Sequence, residues 1–279
     1  HVRSRRQRQM CIRDRFRSDY VRVLLIYFIT IFLSNTVGAL SGMGGGVIIK
    51  PVLDFLGFHS LNSIAFYSSV AVFVMSISST YKQYQNGVQI EWKKAASISF
   101  GSLVGGMLGD LLLNQAIALA PNEEKVQLIQ YIIMLLTLVL VLLYNQFSNW
   151  HLHLNGLSIF LIVGLGLGIL STFLGIGGGP INVACLILFF GMDIKSATVY
   201  SIITIFFSQL AKLGNIGLTT GFAVFDLTML LAIIPAALFG GYVGGLFSKK
   251  LSQQRVAQIY SLVVFLVILL NMYNLWTVI

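Results

Sequence analysis

The sequence is organised by two glycine-rich stretches, Gly42-Met43-Gly44-Gly45-Gly46 and Gly175-Ile176-Gly177-Gly178-Gly179, which lie 133 positions apart. At the same offset Tyr67-Ser68 recurs as Tyr200-Ser201, and at an offset of 135 Gly105-Gly106 recurs as Gly240-Gly241. Similarity at a nearly fixed offset indicates an internal repeat. We therefore predict two related, pseudo-symmetric halves, residues 21–145 and 156–275, each with a glycine-rich break near its beginning.

The segments around these breaks are hydrophobic enough to cross a membrane. Of the 279 residues 57% are hydrophobic and 10% are charged, and the mean hydropathy is +0.86, whereas soluble domains carry about 25% charged residues. The sequence predicts an all-α polytopic membrane protein with about eight long helices and two short segments, 47–58 and 180–190, that are discontinuous or re-entrant. The long apolar runs are 21–40, 63–81, 95–113, 126–144, 156–172, 197–211, 227–247 and 256–275.

Basic residues between the apolar runs indicate how the halves are oriented. Residues 82–94 contain three lysines and the corresponding loop 212–225 contains one, whereas 114–125 contains one lysine and 247–255 contains three basic residues. Cytoplasmic loops carry an excess of Lys and Arg. Because the basic-rich loop belongs to the first half in one pair and to the second half in the next, we predict inverted rather than parallel repeats.

This orientation makes specific assignments. Lys93 and Lys249 are expected on the cytoplasmic side, and Lys125 and Lys212 outside. The expected location is a cell membrane, the bacterial inner (plasma) membrane, which the protein crosses several times.

The basic N-terminal tail, residues 1–20, is a separate feature. The first 22 residues hold eight Arg and two Asp, most of the net charge of +9. Met10-Cys11-Ile12-Arg13-Asp14 resembles a translated sequencing adapter, so we expect residues 1 to about 14 to be foreign to the fold. The alternative is a native tail that binds anionic lipid headgroups.

The glycine-rich breaks are the strongest candidates for a binding site. Consecutive glycines interrupt a helix, and a break at membrane depth is tolerated where it lines a polar cavity. A short helix that starts after the glycines directs its first N–H groups and the positive end of its dipole at a ligand, and Pro180 suits a first helical turn. The alternative is that these glycines only permit close packing, which is the interpretation we give to Gly105 and Gly109.

Two such helix starts would bind an anion without a fixed charge. Uncharged donors that recur beside the breaks would complete the site, although Ser and Thr in membrane helices often bond their own backbone instead. The predicted substrate-binding residues are Gly44, Gly45, Gly46, Gly177, Gly178, Gly179, Asn182, Ser68, Thr198 and Ser201.

Three ionisable residues within apolar segments are further candidates, because charges at membrane depth are expensive to bury. Lys50 and Asp54 lie four residues apart and would share a helix face; they either attract and balance the anion or neutralise each other. Asp110 is a candidate for proton or Na⁺ coupling.

Paired Gly-x-Gly-Gly-Gly motifs that open the two halves of a polytopic chain resemble the TauE/SafE sulfite-exporter family, over about residues 21–275. Pro51, five residues after Gly46, fits the family pattern; the second half departs from it, with Ala184 at the corresponding position and its proline at Pro180. The resemblance implies transport of small anions such as sulfite, sulfoacetate or related organosulfur compounds.

Other classes of function lack support in the sequence. Neither glycine motif is followed by the Lys-Ser/Thr of a nucleotide loop, and two Cys and four His at these spacings form no metal set. We predict a non-enzymatic secondary transporter without cofactor, metal or nucleic acid. Its expected partners are the anion, membrane lipid and a coupling ion, H⁺ or Na⁺. A channel-like or assembly component and an intramembrane enzyme are the alternatives, and the oligomeric state stays open.

Overall fold

The computed structural model describes residues 2–87, 90–147, 152–176 and 179–278, which form ten α-helices. Seven of the helices in these residues can cross a membrane by length and hydropathy, and α6, with 17 residues, is slightly shorter. The predicted all-α polytopic membrane fold with eight long helices and two short segments is confirmed. The helices are α1 (Val2–Ser41), α2 (Gly46–Leu56), α3 (Leu61–Gln85), α4 (Trp92–Leu119), α5 (Glu123–Phe147), α6 (Leu157–Phe173), α7 (Pro180–Phe190), α8 (Ile194–Thr219), α9 (Leu230–Lys250) and α10 (Gln253–Val278).

The short helices α2 and α7 fold back along the long helices that precede them. Eleven residues rise about 16 Å, half the thickness of a bilayer core. The end of α2 returns to α1, where the Tyr27 hydroxyl and His59 Nδ1 are 2.6 Å apart. The end of α7 returns to the start of α6, where the rings of Phe160 and Phe190 stack. Both segments are therefore re-entrant, and we call α1–α2 the first hairpin and α6–α7 the second hairpin.

Each half packs its fourth helix against the first helix of the other half. A Cβ at Gly105 of α4 would lie 2.1 Å from the Leu165 carbonyl oxygen of α6. In the related contact, a Cβ at Gly240 of α9 would lie 2.7 Å from the Phe32 carbonyl oxygen of α1. One turn further on, Gly244 meets the next turn of α1 in the same way. The two helices of each pair thus run parallel, and the spaced glycines let their backbones touch.

Hydrogen bonds fix the relative direction of α3 and α9. The Tyr67 hydroxyl near the start of α3 donates to the backbone carbonyl of Asp226, just before α9. The Asn86 amide, just after α3, donates to the carbonyl of Gly245 near the end of α9. The two helices therefore run parallel.

The same logic shows that α8 runs antiparallel to α3. The backbone N–H of Glu91, just before α4, donates to the Tyr200 hydroxyl near the start of α8, and the Asn215 amide donates to Asp110 further along α4. Since only residues 86–91 join α3 to α4, α8 begins where α3 ends. We call the side where α3 begins the first side and the opposite one the second side. Helix α1 runs parallel to α9, so the first hairpin opens on the first side. Helix α6 runs parallel to α4, so the second hairpin opens on the second side.

The close α4–α6 contact yields a stability test. Gly105→Ala should destabilise the protein by about 1–3 kcal/mol, because the added methyl group meets backbone that cannot move aside. Gly166→Ala on α6 is the matched control: a Cβ there meets nothing within 4 Å, and alanine favours the helix. Thermal unfolding in detergent should show a lower midpoint for Gly105→Ala alone; equal shifts in both variants would contradict the packing role.

Candidate functional site

The tips of the two hairpins meet backbone to backbone. A Cβ at Gly46 would lie 1.7 Å from the carbonyl oxygen of Ile176. Within the first tip, a Cβ at Gly38 would lie 2.4 Å from the backbone nitrogen of Gly45. These approaches leave no room for a side chain, so glycine is required here for close packing as well as for any ligand.

Positive φ angles add a second requirement for glycine in both tips. Gly42 and Gly175, equivalent by the repeat, have φ angles of 73° and 67°, and Gly44 has 71°. L-residues with a side chain rarely adopt this region. The predicted ligands Gly177 and Gly178 lie outside the described residues.

Both short helices begin at the tips without a side-chain cap. Their N-cap residues are Gly45 for α2 and Gly179 for α7, and Pro180 is the first residue of α7. A glycine cap has no side chain to accept the first N–H groups of the helix, which leaves them for another acceptor. The arrangement suits an anion at the positive ends of two helix dipoles.

Helices α3 and α8 enclose the tips from two sides through equivalent residues. Ala65 of α3 lies against Gly175, and Thr198 of α8 lies against Gly42. One turn on, Ser201 Oγ donates to the Gly42 carbonyl at 2.6 Å, whereas the hydroxyl of its counterpart Ser68 has no partner in the residues that the structure describes. Thr198 Oγ1 donates to the carbonyl of Ile194 in its own helix, as threonines in membrane helices often do. The structure thus brings all three predicted hydroxyls to the tips but leaves only that of Ser68 unbonded.

Several buried polar side chains around the tips lack a partner. Asn182, in the first turn of α7, is 1% exposed, and neither atom of its amide makes a hydrogen bond within the part of the chain that the structure describes. The same holds for Oδ1 of Asn35, which faces Gly45, and for Oγ1 of Thr172 on the last turn of α6. An unsatisfied buried polar group costs about 1–3 kcal/mol. Their concentration here indicates a place for a polar ligand or water.

Lys50 and Asp54 neutralise each other. Lys50 Nζ lies 3.0 Å from Asp54 Oδ2, both side chains are buried, and the Tyr131 hydroxyl donates to the same oxygen at 2.9 Å. Of the two interpretations of this pair, the contacts fit mutual neutralisation.

Asp110 lies near Lys212, the lysine that the loop charges predict on the outer side. Asp110 is buried and accepts hydrogen bonds from Asn215 at 2.5 Å and Asn114 at 3.3 Å. Lys212 lies within α8, which continues to Thr219, and is 2% exposed. The assignment of Lys212 to an outer loop is therefore wrong, because the extra turns of α8 bury it. Among the described residues its Nζ has no hydrogen-bond partner.

The helical spacing of residues in α8 predicts that Lys212 shares a helix face with the predicted site residues. One face of α8 carries a residue every three or four positions, and these residues are Thr198, Ser201, Ile205, Gln209 and Lys212. The apolar run 197–211 ends immediately before Lys212, so hydropathy alone places this lysine outside the span. Asn35 and Thr172 have no comparable signal in the sequence.

A polar network closes the first side beside the hairpin opening. Tyr20 bonds Asp226 and Thr228, and the rings of His59 and Tyr67 pack edge to face. The hydrogen bond from the Thr228 side chain lowers the pKa of Asp226. Burial lowers the pKa of His59, and the charge of Asp226 opposes this shift in part.

Comparison with known proteins gives a consistent assignment. A family model described as sulfite exporter TauE/SafE matches residues 27–272. The probable membrane transporter protein YunE of Bacillus subtilis is 25% identical over 260 residues, which cover 84% of this chain and 92% of that protein. A probable membrane transporter protein of Methanocaldococcus jannaschii is 23% identical over 172 residues, 60% of this chain and 63% of that one. No solved structure matches.

The network on the first side should make stability depend on pH. Because the pKa of His59 is lowered in the fold, the unfolded chain binds a proton more readily below about pH 6.5, and stability should fall as the pH drops through that range. His59→Gln should weaken this pH dependence of the thermal unfolding midpoint between about pH 5 and 8. His153→Gln, an exposed histidine on the second side, should keep the wild-type profile; identical profiles for His59→Gln and wild type would refute the role of His59.

Proposed function

Because this chain belongs to the sulfite exporter TauE/SafE family, we propose that it is a secondary transporter that carries a small sulfur oxyanion, sulfite or a short organosulfonate, across a bacterial plasma membrane. The observation that carries this proposal is the meeting of two uncapped helix starts beside the unpaired amide of Asn182. Transport is supported by the family match and by relatives that are named probable membrane transporters.

The proposed binding site lies between the hairpin tips. The first N–H groups of α2 and α7, the Asn182 amide and the Ser68 hydroxyl would donate to the oxygen atoms of the anion. Backbone donors are favourable in this setting because they carry no net charge into the membrane, whereas a buried cation costs at least about 2.5 kcal/mol on insertion scales. The tips are also where the halves touch, so a bound anion would contact both.

The antiparallel course of α3 and α8 supports inverted repeats. Hairpins that open on opposite sides offer one path to the site from each side of the membrane, which is the arrangement that alternating access requires. Lys93, Lys94, Lys249 and Lys250 all lie at the second side, so we propose that this side is cytoplasmic. A proton or Na⁺ would couple transport to a gradient.

The transport proposal is tested with purified protein in proteoliposomes. We expect saturable uptake of sulfite or a short sulfonate, and Asn182→Leu should weaken affinity about tenfold or more, because hydrogen bonds to a charged ligand contribute about 1.5–3 kcal/mol. Asn271→Leu is the matched control, since that buried amide bonds its own helix. Absence of uptake of sulfite, sulfate, thiosulfate and methanesulfonate by wild-type protein would refute the function.

The topology is tested separately by cysteine labelling in cells, after replacement of Cys11 and Cys185 by alanine. Cysteines at positions 125 and 220 should react with an impermeant reagent from outside, and those at 93 and 249 only after the membrane is opened. Labelling of 93 and 220 from the same side would contradict inverted halves.

A further inference from the structure

Lys212 is a buried cation whose hydrogen-bonding capacity is unused. It lies in α8 with 2% of its surface exposed, and its Nζ has no hydrogen-bond partner in the described residues. Lysine is almost never fully buried unless it is paired. A buried polar group without a partner calls for a physical explanation, and a bound ion is one of those that native structures provide.

The position of Lys212 connects it to the hairpin tips. It continues the stripe of α8 on which Thr198 and Ser201 contact the first tip. Side chains on a helix lean towards its N-terminus, so Lys212 leans back along α8 towards the tips. On the neighbouring turn, Ser208 Oγ and Ser171 Oγ of α6 are 3.3 Å apart, which joins this part of α8 to the end of α6 just before the second tip.

The other charges near Lys212 are already satisfied. Lys50 and Asp110 are the charged groups that act on it electrostatically. Lys50 extends along the second tip, where its Cε would lie 3.3 Å from a Cβ at Gly175, but Asp54 neutralises it. Asp110 has the amides of Asn215 and Asn114 as donors. No hydrogen bond within the described residues engages the Lys212 ammonium, so its N–H donors remain available to a ligand beside the second tip.

An unbonded hydroxyl lies in the same region. Thr172 Oγ1, on the last turn of α6, is buried and has no partner, and its carbonyl accepts from the Gly175 N–H at 3.0 Å. The equivalents of Lys212 and Lys50 in the other half are Ser79 and Val183. Among the described residues, a buried lysine without a hydrogen-bond partner is thus found on the side of only one of the two tips.

We propose that the ammonium group of Lys212 binds the transported oxyanion at the second tip, with the Thr172 hydroxyl as a neighbouring donor. This inference rests on the proposed function and deepens it, because it assigns the anion to one tip and supplies the counter-charge that backbone donors lack. An ammonium accepts any small oxyanion, so the class of ligand is a compact anion with at least one full negative charge.

Lys212→Met tests the inference in full-length protein purified in detergent, with sulfite as the probe and calorimetry as the measurement. Loss of a hydrogen bond to a charged group should weaken sulfite binding about 10- to 100-fold. Lys212→Arg, which keeps the charge, should retain more affinity than Lys212→Met. Lys125→Met removes an exposed lysine on the first side and should leave affinity unchanged.

A structural ion pair with Asp110 is the competing role for Lys212. If pairing were its role, combining Lys212→Met with Asp110→Asn would restore both stability and sulfite affinity; we expect restored stability at most. Should Lys212→Met fail to fold, Lys212→Gln takes its place, with the melting temperature as the check. If a folded Lys212→Met variant binds sulfite with wild-type affinity, the role of Lys212 is overturned and the proposed function stands. If the wild-type protein binds none of sulfite, thiosulfate and methanesulfonate, both the role of Lys212 and the proposed function are overturned.

Discussion

The contact between the two hairpin tips is the constraint on which the rest of the structure depends. The carbonyl oxygen of Ile176 in the second tip lies where the side chain of residue 46 would be, so the tips can meet in this way only if position 46 is glycine. That contact holds two interrupted helices at the same depth and directs their uncapped starts at one place. The surrounding helices α3 and α8 are arranged to enclose it, with equivalent residues in equivalent positions.

The offsets that relate the two halves in the sequence also relate their contacts. Gly105 on Leu165 and Gly240 on Phe32 are the same contact under offsets of 133 and 135, and so are Tyr67 on Asp226 and Tyr200 on Glu91. Departures from this regularity mark places where the halves differ in chemistry. Ser201 donates a hydrogen bond to the backbone of the first tip, whereas Ser68 makes no such bond within the described residues. At the second tip, Lys50 lies against Gly175 instead.

Much of this fold was predictable from local sequence signals. The apolar runs, the two short segments and the glycine-rich breaks depend on neighbouring residues, and the structure has helices and interruptions at those positions. Burial of Lys212 was not predictable from a hydropathy window, because that method treats a lysine as the end of a span. The exchange of α4 and α9 between halves was equally hidden, since it joins residues far apart in the chain. Nor could the sequence show that the Tyr131 hydroxyl donates to the carboxylate oxygen of Asp54 that also pairs with Lys50.

The exchange of fourth helices has a consequence for synthesis. Phe32 of α1 meets Gly240 of α9, which follows it by 208 positions. As the chain emerges from the ribosome, α1 must remain in the bilayer with its packing face against lipid until nearly the whole protein has been made. Contacts of such long sequence separation close late. Neither half can acquire its final packing alone, so the protein assembles as one unit, and a nascent chain arrested before α9 would leave the first hairpin without its supporting helix.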